Sequence, residues 1–230
     1  MLTVTDLVVE YGDGTRAVDG VGFAIGDGDS VALVGANGAG KTSLLLAIVG
    51  VIPIADGEIR VGDAVLCRKS LREIRSRVGF VFQNPDDQLF MPNIFEDVAF
   101  GPRSFGCGEA EAAERAEAAL ARLGIGHLSE RSPLKLSGGE KRLAAIATVL
   151  SMRPDLLLMD EPAAFLDPRA KRNLAAILSE LPQGKLIATH DLAFAREVCS
   201  RALLLQDGKL IADEGVGLLG DLARLEGAGL

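Results

Sequence analysis

Gly35-Ala36-Asn37-Gly38-Ala39-Gly40-Lys41-Thr42 decides the fold of this 230-residue chain. The stretch matches the pattern G-x-x-x-x-G-K-[ST] at every fixed position. The apolar run at residues 30–34 predicts a buried strand before it, and residues 43–49 predict a helix after it that ends at Gly50. A chance glycine-rich turn would not need this strand–loop–helix setting. The stretch therefore predicts a phosphate-binding loop.

The residue types in this loop suit a nucleoside triphosphate. Glycines let successive backbone N–H groups face the phosphates, and the helix that follows adds its positive N-terminal end. Lys41 supplies a charge near the β- and γ-phosphates, and Thr42 offers a hydroxyl to Mg²⁺. The nucleotide-binding residues predicted here are Gly35, Asn37, Gly38, Ala39, Gly40, Lys41, Thr42 and Ser43.

Composition limits the other functional classes. The formal net charge of −8 argues against a broad nucleic-acid-binding face, which needs clustered Lys and Arg. The three cysteines have no metal-ligand spacing, and we expect reduced cytosolic thiols. No signal peptide is expected, and the longest apolar run, residues 44–55, is too short to span a bilayer. Any membrane role would therefore depend on a partner, with this chain peripheral on the cytoplasmic face.

The order of predicted elements indicates an α/β fold of the P-loop NTPase class. Residues 1–83 are rich in strands and turns, which predicts an antiparallel β lobe beside the phosphate loop. Strands and helices alternate from residue 156 onward, which predicts a mostly parallel core sheet. Between them, residues 84–135 are predicted as a helical insert, irregular over 84–106 and helical over 109–123. We expect one domain, residues 1–230, with 1–83 and 136–230 as the core and β lobe and 84–135 as a helical subdomain.

Two further motifs carry chemistry. Leu156-Leu157-Leu158-Met159 predicts a strand that ends in Asp160 and Glu161, at the sheet edge where ligands of α/β proteins bind. One carboxylate could hold Mg²⁺ and the other polarise a water, although a surface acidic pair is the simpler alternative. Ser137-Gly138-Gly139-Glu140 opens another helix. A capping box explains this helix start without a ligand. Two glycines in a first helical turn, however, suit close approach of the backbone to an anion. One nucleotide could bind both this helix start and the phosphate loop only if two protomers face each other.

These motifs, in this order, resemble the nucleotide-binding subunit of an ABC transporter over nearly the whole chain. Leu136–Glu140 corresponds to the signature motif of that family, and the residue 156–162 stretch to its Walker B strand. Further matches are Tyr11 at the adenine-stacking position, Gln83 at the Q-loop, Leu166-Asp167 at the D-loop and His190 at the switch histidine. The fold implied is the ABC ATPase fold.

The resemblance implies a role for each matched residue, with ATP and Mg²⁺ as ligands. The roles are catalysis by Glu161, His190, Lys41 and Gln83; magnesium binding by Thr42, Gln83 and Asp160; adenine stacking by Tyr11; and contact with the nucleotide of an opposite protomer by Ser137, Gly138, Gly139 and Asp167. Simpler readings stay open. Tyr11 could be an ordinary strand aromatic and Gln83 a polar strand end. His190 could be a helix-entry histidine beside the N-cap Asp191, and Asp167 an N-cap before Pro168.

The stretch between Gln83 and Arg103 is similar to that of ATPases from energy-coupling-factor importers, particularly the cobalt and nickel type. The similarity implies an integral membrane scaffold and a substrate-binding subunit as partners, and a homodimer or a heterodimer with a paralogous ATPase. The apolar cluster expected here consists of Leu89, Phe90, Met91, Ile94 and Phe95. This cluster could form a groove for a partner helix, or it could pack the insert onto the main lobe.

Three rival functions remain. A conventional ABC transporter ATPase would differ only in its partner. A soluble ABC ATPase acting on DNA or ribosomes usually carries coiled-coil insertions or basic patches, and a small-molecule P-loop kinase does not explain the Ser137–Gly139 helix start. One departure from the family pattern is Phe165, which stands in the D-loop where the family often has glycine.

Overall fold

The protein is described from a computed structural model that covers residues 1–230. Ten strands form a four-stranded and a six-stranded sheet. The strands are β1 (Leu2–Glu10), β2 (Arg16–Ile25), β3 (Ser30–Val34), β4 (Asp56–Val61), β5 (Ala64–Val65), β6 (Val78–Val81), β7 (Leu156–Asp160), β8 (Gly184–Ala188), β9 (Arg201–Gln206) and β10 (Lys209–Gly215). The helices are α1 (Lys41–Ile48), α2 (Leu71–Arg77), α3 (Ile94–Ser104), α4 (Glu109–Arg122), α5 (Gly138–Leu150), α6 (Pro168–Glu180), α7 (Leu192–Val198) and α8 (Leu222–Gly227).

The six-stranded sheet brings the ends of its central strands to one edge. Its order is β10-β9-β3-β8-β7-β6, and every pair is parallel except β9 with β10. Ala188 at the end of β8 pairs with Leu33 of β3 on one side and Asp160 of β7 on the other. The segments that follow β3, β7 and β8 therefore leave the sheet side by side. The mostly parallel core predicted from the strand–helix alternation is confirmed.

The four-stranded sheet is antiparallel, in the order β2-β1-β4-β5, as the turn-rich start of the chain predicted. Along β1, Leu2, Val4, Leu7 and Val9 are buried, whereas most of the residues between them are exposed. The buried face joins one hydrophobic cluster with α1 and with one face of the six-stranded sheet. This packing fixes β1 and β2 beside the phosphate loop.

The segment from 84 to 135 contains two α-helices, α3 and α4, and three short 3₁₀ helices. The prediction of an irregular chain over 84–106 was wrong for α3. Asn93 caps this helix, since its side-chain oxygen accepts the Glu96 N–H at 2.9 Å. Pro102 lies in the last turns of α3 and cannot donate to the Val98 carbonyl, which instead accepts a hydrogen bond from Ser151 Oγ at 2.7 Å.

The helical segment shares one hydrophobic core with the parallel sheet. Val98 of α3 and Leu120 of α4 belong to the same buried cluster as Val34 of β3 and Met159 of β7. The other predicted strands and helices are present within about two residues of their predicted ends, the usual uncertainty of such boundaries. The division of the chain into subdomains stays a prediction.

Candidate nucleotide site

The loop between β3 and α1 has the backbone that its glycines predicted. Gly38 has a φ of 83° with open space where a Cβ would lie, and Gly40 has a φ of 102°. A Cβ on Gly40 would overlap the Ala17 carbonyl oxygen, so any other residue there would push the loop away from β2. No side chain caps the first turn of α1. Its backbone N–H groups therefore stay available to an anion.

Lys41 is buried beneath this loop. Its Nζ donates to the carbonyl oxygens of Gly35 at 2.7 Å and Ala36 at 3.0 Å. Burial lowers the pKa of Lys41, and the nearby carboxylates of Glu161 and Asp160 oppose that shift. The ammonium group is thus held inside the loop, where it can meet phosphate oxygens.

Asp160 lies across from the first turn of α1. Its Oδ2 accepts a hydrogen bond from Thr42 Oγ1 at 2.8 Å, and only 5 % of the residue is exposed. Burial raises the pKa of Asp160, while the Thr42 hydroxyl favours the charged form. A hydroxyl and a carboxylate in contact are suitable oxygen ligands for Mg²⁺.

Glu161 follows immediately and points its carboxylate toward β8. Its backbone has a φ of 46°, and Thr189 Oγ1 donates to Oε2 at 3.0 Å. The His190 backbone N–H donates to Oε1 at 3.1 Å, and His190 Nδ1 lies 2.7 Å from the same oxygen. The two neighbouring carboxylates therefore have different hydrogen-bond partners, and the expectation that they have different tasks stays a prediction. An ionised carboxylate only accepts hydrogen bonds, so Nδ1 must carry the proton in that state.

Thr189 is the residue of this cluster that the sequence did not reveal. It is fully buried, and its Oγ1 also accepts the Asp191 backbone N–H at 3.1 Å. Its only signal in the sequence was its place at the end of a strand, just before His190.

A cavity of about 490 Å³ joins these groups, a volume usual for a small-molecule site. The predicted residues that line it are Tyr11, Asn37, Gly38, Gly40, Lys41, Thr42, Ser43, Gln83, Asp160, Glu161 and His190. Thr15, Arg16 and Ala17 line it as well, and the sequence had not marked them. The hydroxyls of Tyr11 and Ser43 are hydrogen-bonded at 2.8 Å, which ties the end of the β lobe to α1.

Two predicted loop residues lie behind the lining rather than in it. Gly35 presents its carbonyl to Lys41, and a Cβ there would overlap the Leu205 carbonyl oxygen. Ala39 is buried, and its carbonyl accepts the Gly208 N–H at 3.1 Å. Both therefore shape the loop from behind.

The remaining predicted residues lie outside this cavity. Ser137 forms a capping box with Glu140 at the start of α5, and Asp167 caps α6 through the N–H groups of Arg169 and Ala170. Gly138 lines a separate cavity of about 280 Å³ that also includes Gln83 and Phe165. Gly139 lies at the same helix start. The capping explanations are thus real, and contact of Ser137, Gly138, Gly139 and Asp167 with a second protomer stays a prediction.

The predicted apolar cluster beside Gln83 is divided between core and surface. Leu89 and Ile94 are buried and Phe95 packs partly against the core, so these three follow the second alternative, packing of the insert onto the main lobe. Phe90, however, is 64 % exposed and packs edge-on against the exposed Phe100, with ring centroids 5.1 Å apart. An exposed aromatic pair therefore remains on this face.

Comparison with known proteins identifies the same family. The profile described as ABC transporter matches residues 18–164. The chain is 49% identical to a putative ABC transporter ATP-binding protein of Geobacter sulfurreducens, over 93% of this chain and 86% of that protein. It is 41% identical to the energy-coupling factor transporter ATP-binding protein EcfA of Carboxydothermus hydrogenoformans, over 99% and 85% of the two chains.

Solved structures agree with these sequence matches. The chain resembles cbiO1 of Clostridium perfringens, part of the ABC transporter complex cbiONQ, with a TM-score of 0.87, 34% identity, and 97% and 91% of the two chains covered. It also resembles a dimeric ATP-binding cassette in a post-hydrolysis state bound to ADP and Pi, with a TM-score of 0.83, 25% identity, and 94% and 99% covered. None of the helices in the present chain has the length and apolar character needed to cross a bilayer.

Proposed function

This chain belongs to the ABC transporter family as an ATP-binding and ATP-hydrolysing subunit, and from that premise we propose that it powers an energy-coupling-factor importer. The likeness to EcfA proteins and to cbiO1 supports the subfamily. The proposed cargo is cobalt, nickel or another substrate of such importers. This chain would work at the cytoplasmic face of the membrane, held there by its partners.

In this proposal, the phosphate loop and Lys41 bind the triphosphate and Glu161 handles the attacking water. Glu161 Oε1 or Oε2 accepts a proton from that water, and Thr189 and the His190 N–H keep the carboxylate in place. The residue His190 lines the cavity, and its ring would contact the γ-phosphate. Tyr11 lines the same cavity, and its ring would stack on adenine.

Thr42, Asp160 and Gln83 are the proposed magnesium ligands. Thr42 and Asp160 are already in contact, and Gln83, whose side chain has a carbonyl oxygen, lines the same cavity. When bound, Mg²⁺ would neutralise charge on the β- and γ-phosphates. Hard oxygen ligands of this kind are the donors that Mg²⁺ prefers.

A second protomer would complete the site. Ser137, Gly138 and Gly139 form a helix N-terminus that lies outside the cavity of their own chain. In a head-to-tail dimer, these N–H groups and Asp167 would face the nucleotide of the partner. The likeness to dimeric cassettes supports this arrangement, which a homodimer or a heterodimer with a paralogous ATPase would satisfy.

The observation that carries the membrane proposal is the exposed pair of Phe90 and Phe100. Buried Asp97 holds the turn beneath it, because Oδ1 accepts the N–H groups of Phe90 and Met91, each at 3.0 Å. An exposed aromatic pair in the segment that follows Gln83 in the sequence suits an amphipathic helix of an integral membrane scaffold. Movement of that helix could then be transmitted to the nucleotide site through the segment that joins Phe90 to Gln83.

Affinity capture tests this proposal. The tagged chain is recovered from detergent-solubilised native membranes and its partners are identified by mass spectrometry, beside a variant with Phe90→Ser and Phe100→Ser. Leu222→Ser, at another exposed apolar residue, is the matched control. We expect the wild type and the control to recover a membrane scaffold and a small membrane-embedded binding protein, and the double variant to lose both. Recovery of a conventional permease would favour that rival, and recovery of soluble partners alone would contradict transport.

A further inference from the structure

Arg142 lies inside α5, one turn after the Ser137–Gly139 helix start, and only 2 % of it is exposed. Its Nη1 donates to the Phe82 carbonyl at 2.7 Å, and its Nη2 donates to the Gln83 carbonyl at 2.6 Å. The guanidinium fork thus binds two successive carbonyls at the point where the chain leaves β6. The Nε of Arg142 has no hydrogen-bond partner.

No carboxylate contacts this buried cation. Burial lowers the pKa of Arg142 to about 10, and the charge of Asp160 opposes that shift. The side chain therefore stays charged at neutral pH while its hydrogen-bond partners are backbone carbonyls. A buried guanidinium without a carboxylate partner destabilises the fold relative to an apolar side chain, because it loses its hydration. What it provides in exchange is a fixed backbone at Phe82 and Gln83.

Two more side chains bind the same segment to the same helix. Gln88 accepts the Phe82 N–H through Oε1 at 3.1 Å and donates through Nε2 to the Ala145 carbonyl and Thr148 Oγ1, both at 2.8 Å. Lys141 pairs with Asp86 at 2.6 Å. Residues 82–88 are therefore attached to α5 at successive turns, and we call these contacts the loop clamp.

We propose that Arg142 is a positioning residue for Gln83, holding its side chain at the nucleotide cavity and tying its position to the start of α5. The inference rests on the proposed magnesium role of Gln83. Because α5 also begins with Ser137-Gly138-Gly139, a shift of this helix start would move Gln83 with it. The loop clamp would then link the two nucleotides of a dimer through one helix.

A double-mutant cycle on the full-length chain tests this role, with steady-state ATP hydrolysis in saturating Mg²⁺. Arg142→Lys keeps the charge but cannot bind both carbonyls in a plane. We expect it to lower kcat by about tenfold, as misplacement of a catalytic group does, with the KM for ATP within about twofold of wild type. In the Gln83→Ala background, Arg142→Lys should cause no further loss, since the two residues act as one unit.

Two controls separate positioning from general damage. Ile146→Val changes a buried apolar residue of α5 that takes no part in the hydrogen bonds and ion pair of the loop clamp, and it should keep the wild-type kcat. In Arg142→Lys, amide hydrogen exchange should become faster over residues 82–88 while β7 keeps its protection. Exchange that rises equally in β7 would indicate general destabilisation and overturn the inference.

The outcomes also distinguish this inference from the proposed function. If Gln83→Ala alone left kcat unchanged, the role of Gln83 would fail and this inference with it. If Gln83→Ala lowered kcat but Arg142→Lys did not, or if the two losses multiplied in the double variant, the function would stand and the positioning role would be wrong.

Discussion

Thr42 and Asp160 are 118 residues apart in the chain, yet Thr42 Oγ1 donates to Asp160 Oδ2 at 2.8 Å. The bond connects the first turn of α1 to the last residue of β7. It exists because β8 lies between β3 and β7, so that segments from distant parts of the sequence leave the sheet at one edge. The nucleotide site is built from this relationship.

Lys41→Ala should abolish stabilisation by ATP. The lysine is the cation inside the phosphate loop, and a ligand at one hundred times its Kd stabilises a fold by about 2.7 kcal/mol. Differential scanning fluorimetry with and without Mg-ATP measures the effect. Lys209→Ala, at an exposed lysine of β10, should keep the wild-type shift. An unchanged ATP shift in Lys41→Ala would contradict the loop assignment.

Thr189→Val should impair turnover more than ATP binding. The change preserves shape but removes the hydroxyl that donates to Glu161, and a hydrogen bond to a charged group is worth about 1.5–3 kcal/mol. We therefore expect kcat to fall about tenfold or more with little change in KM. Ser179→Ala removes a hydroxyl on α6 and serves as the control. Wild-type kcat in Thr189→Val would show that Glu161 needs no such support.

Phe165→Gly should stabilise the chain. Phe165 is 96 % exposed and has a φ of 60°, a left-handed conformation that costs a residue with a Cβ about 1 kcal/mol or more. Glycine removes that cost, and almost no packing is lost. Urea denaturation should show a gain of about 1 kcal/mol. Phe165→Ala keeps the Cβ and should show no such gain; equal gains in both variants would disprove the backbone explanation.

Asp97→Asn should change how stability depends on pH. Burial raises the pKa of Asp97 above its unfolded value, although two backbone N–H groups favour the charged form. A raised pKa means that stability is present at low pH and is lost as pH rises through the folded pKa. The asparagine side chain keeps an acceptor and does not ionise, so the unfolding free energy of the variant relative to wild type should increase from about pH 4 to pH 7. Asp63→Asn, in an exposed turn, is the control; a pH-independent difference for Asp97→Asn would contradict the argument.

Local patterns predicted most of the fold and much of the site. The phosphate loop, β7 and the capped starts of α5 and α6 follow from short-range rules, and all are present. Helix α3 was missed because Gly101 and Pro102 are poor helix formers, and its stability comes from packing rather than from local propensity.

The site residues that the sequence did not reveal were missed for a different reason. Thr189 and Arg142 act through partners that are 28 and about 60 residues away in sequence. Nothing in a threonine at a strand end, or in an arginine within a helix, indicates such a partner. In the same way, Leu89 and Ile94 are buried whereas Phe90 is exposed, and hydropathy alone could not predict this difference between apolar residues.

The most direct test of the account is the mass of Glu161→Gln in the presence of Mg-ATP. Glutamine keeps the shape of the side chain but cannot take a proton from water, so the variant should bind ATP and accumulate before hydrolysis. Size-exclusion chromatography with light scattering should then report twice the 24.1 kDa of one chain, with ATP rather than ADP bound and turnover nearly abolished. A variant that stays at 24.1 kDa with ATP bound, or that still hydrolyses it at the wild-type rate, would contradict the account.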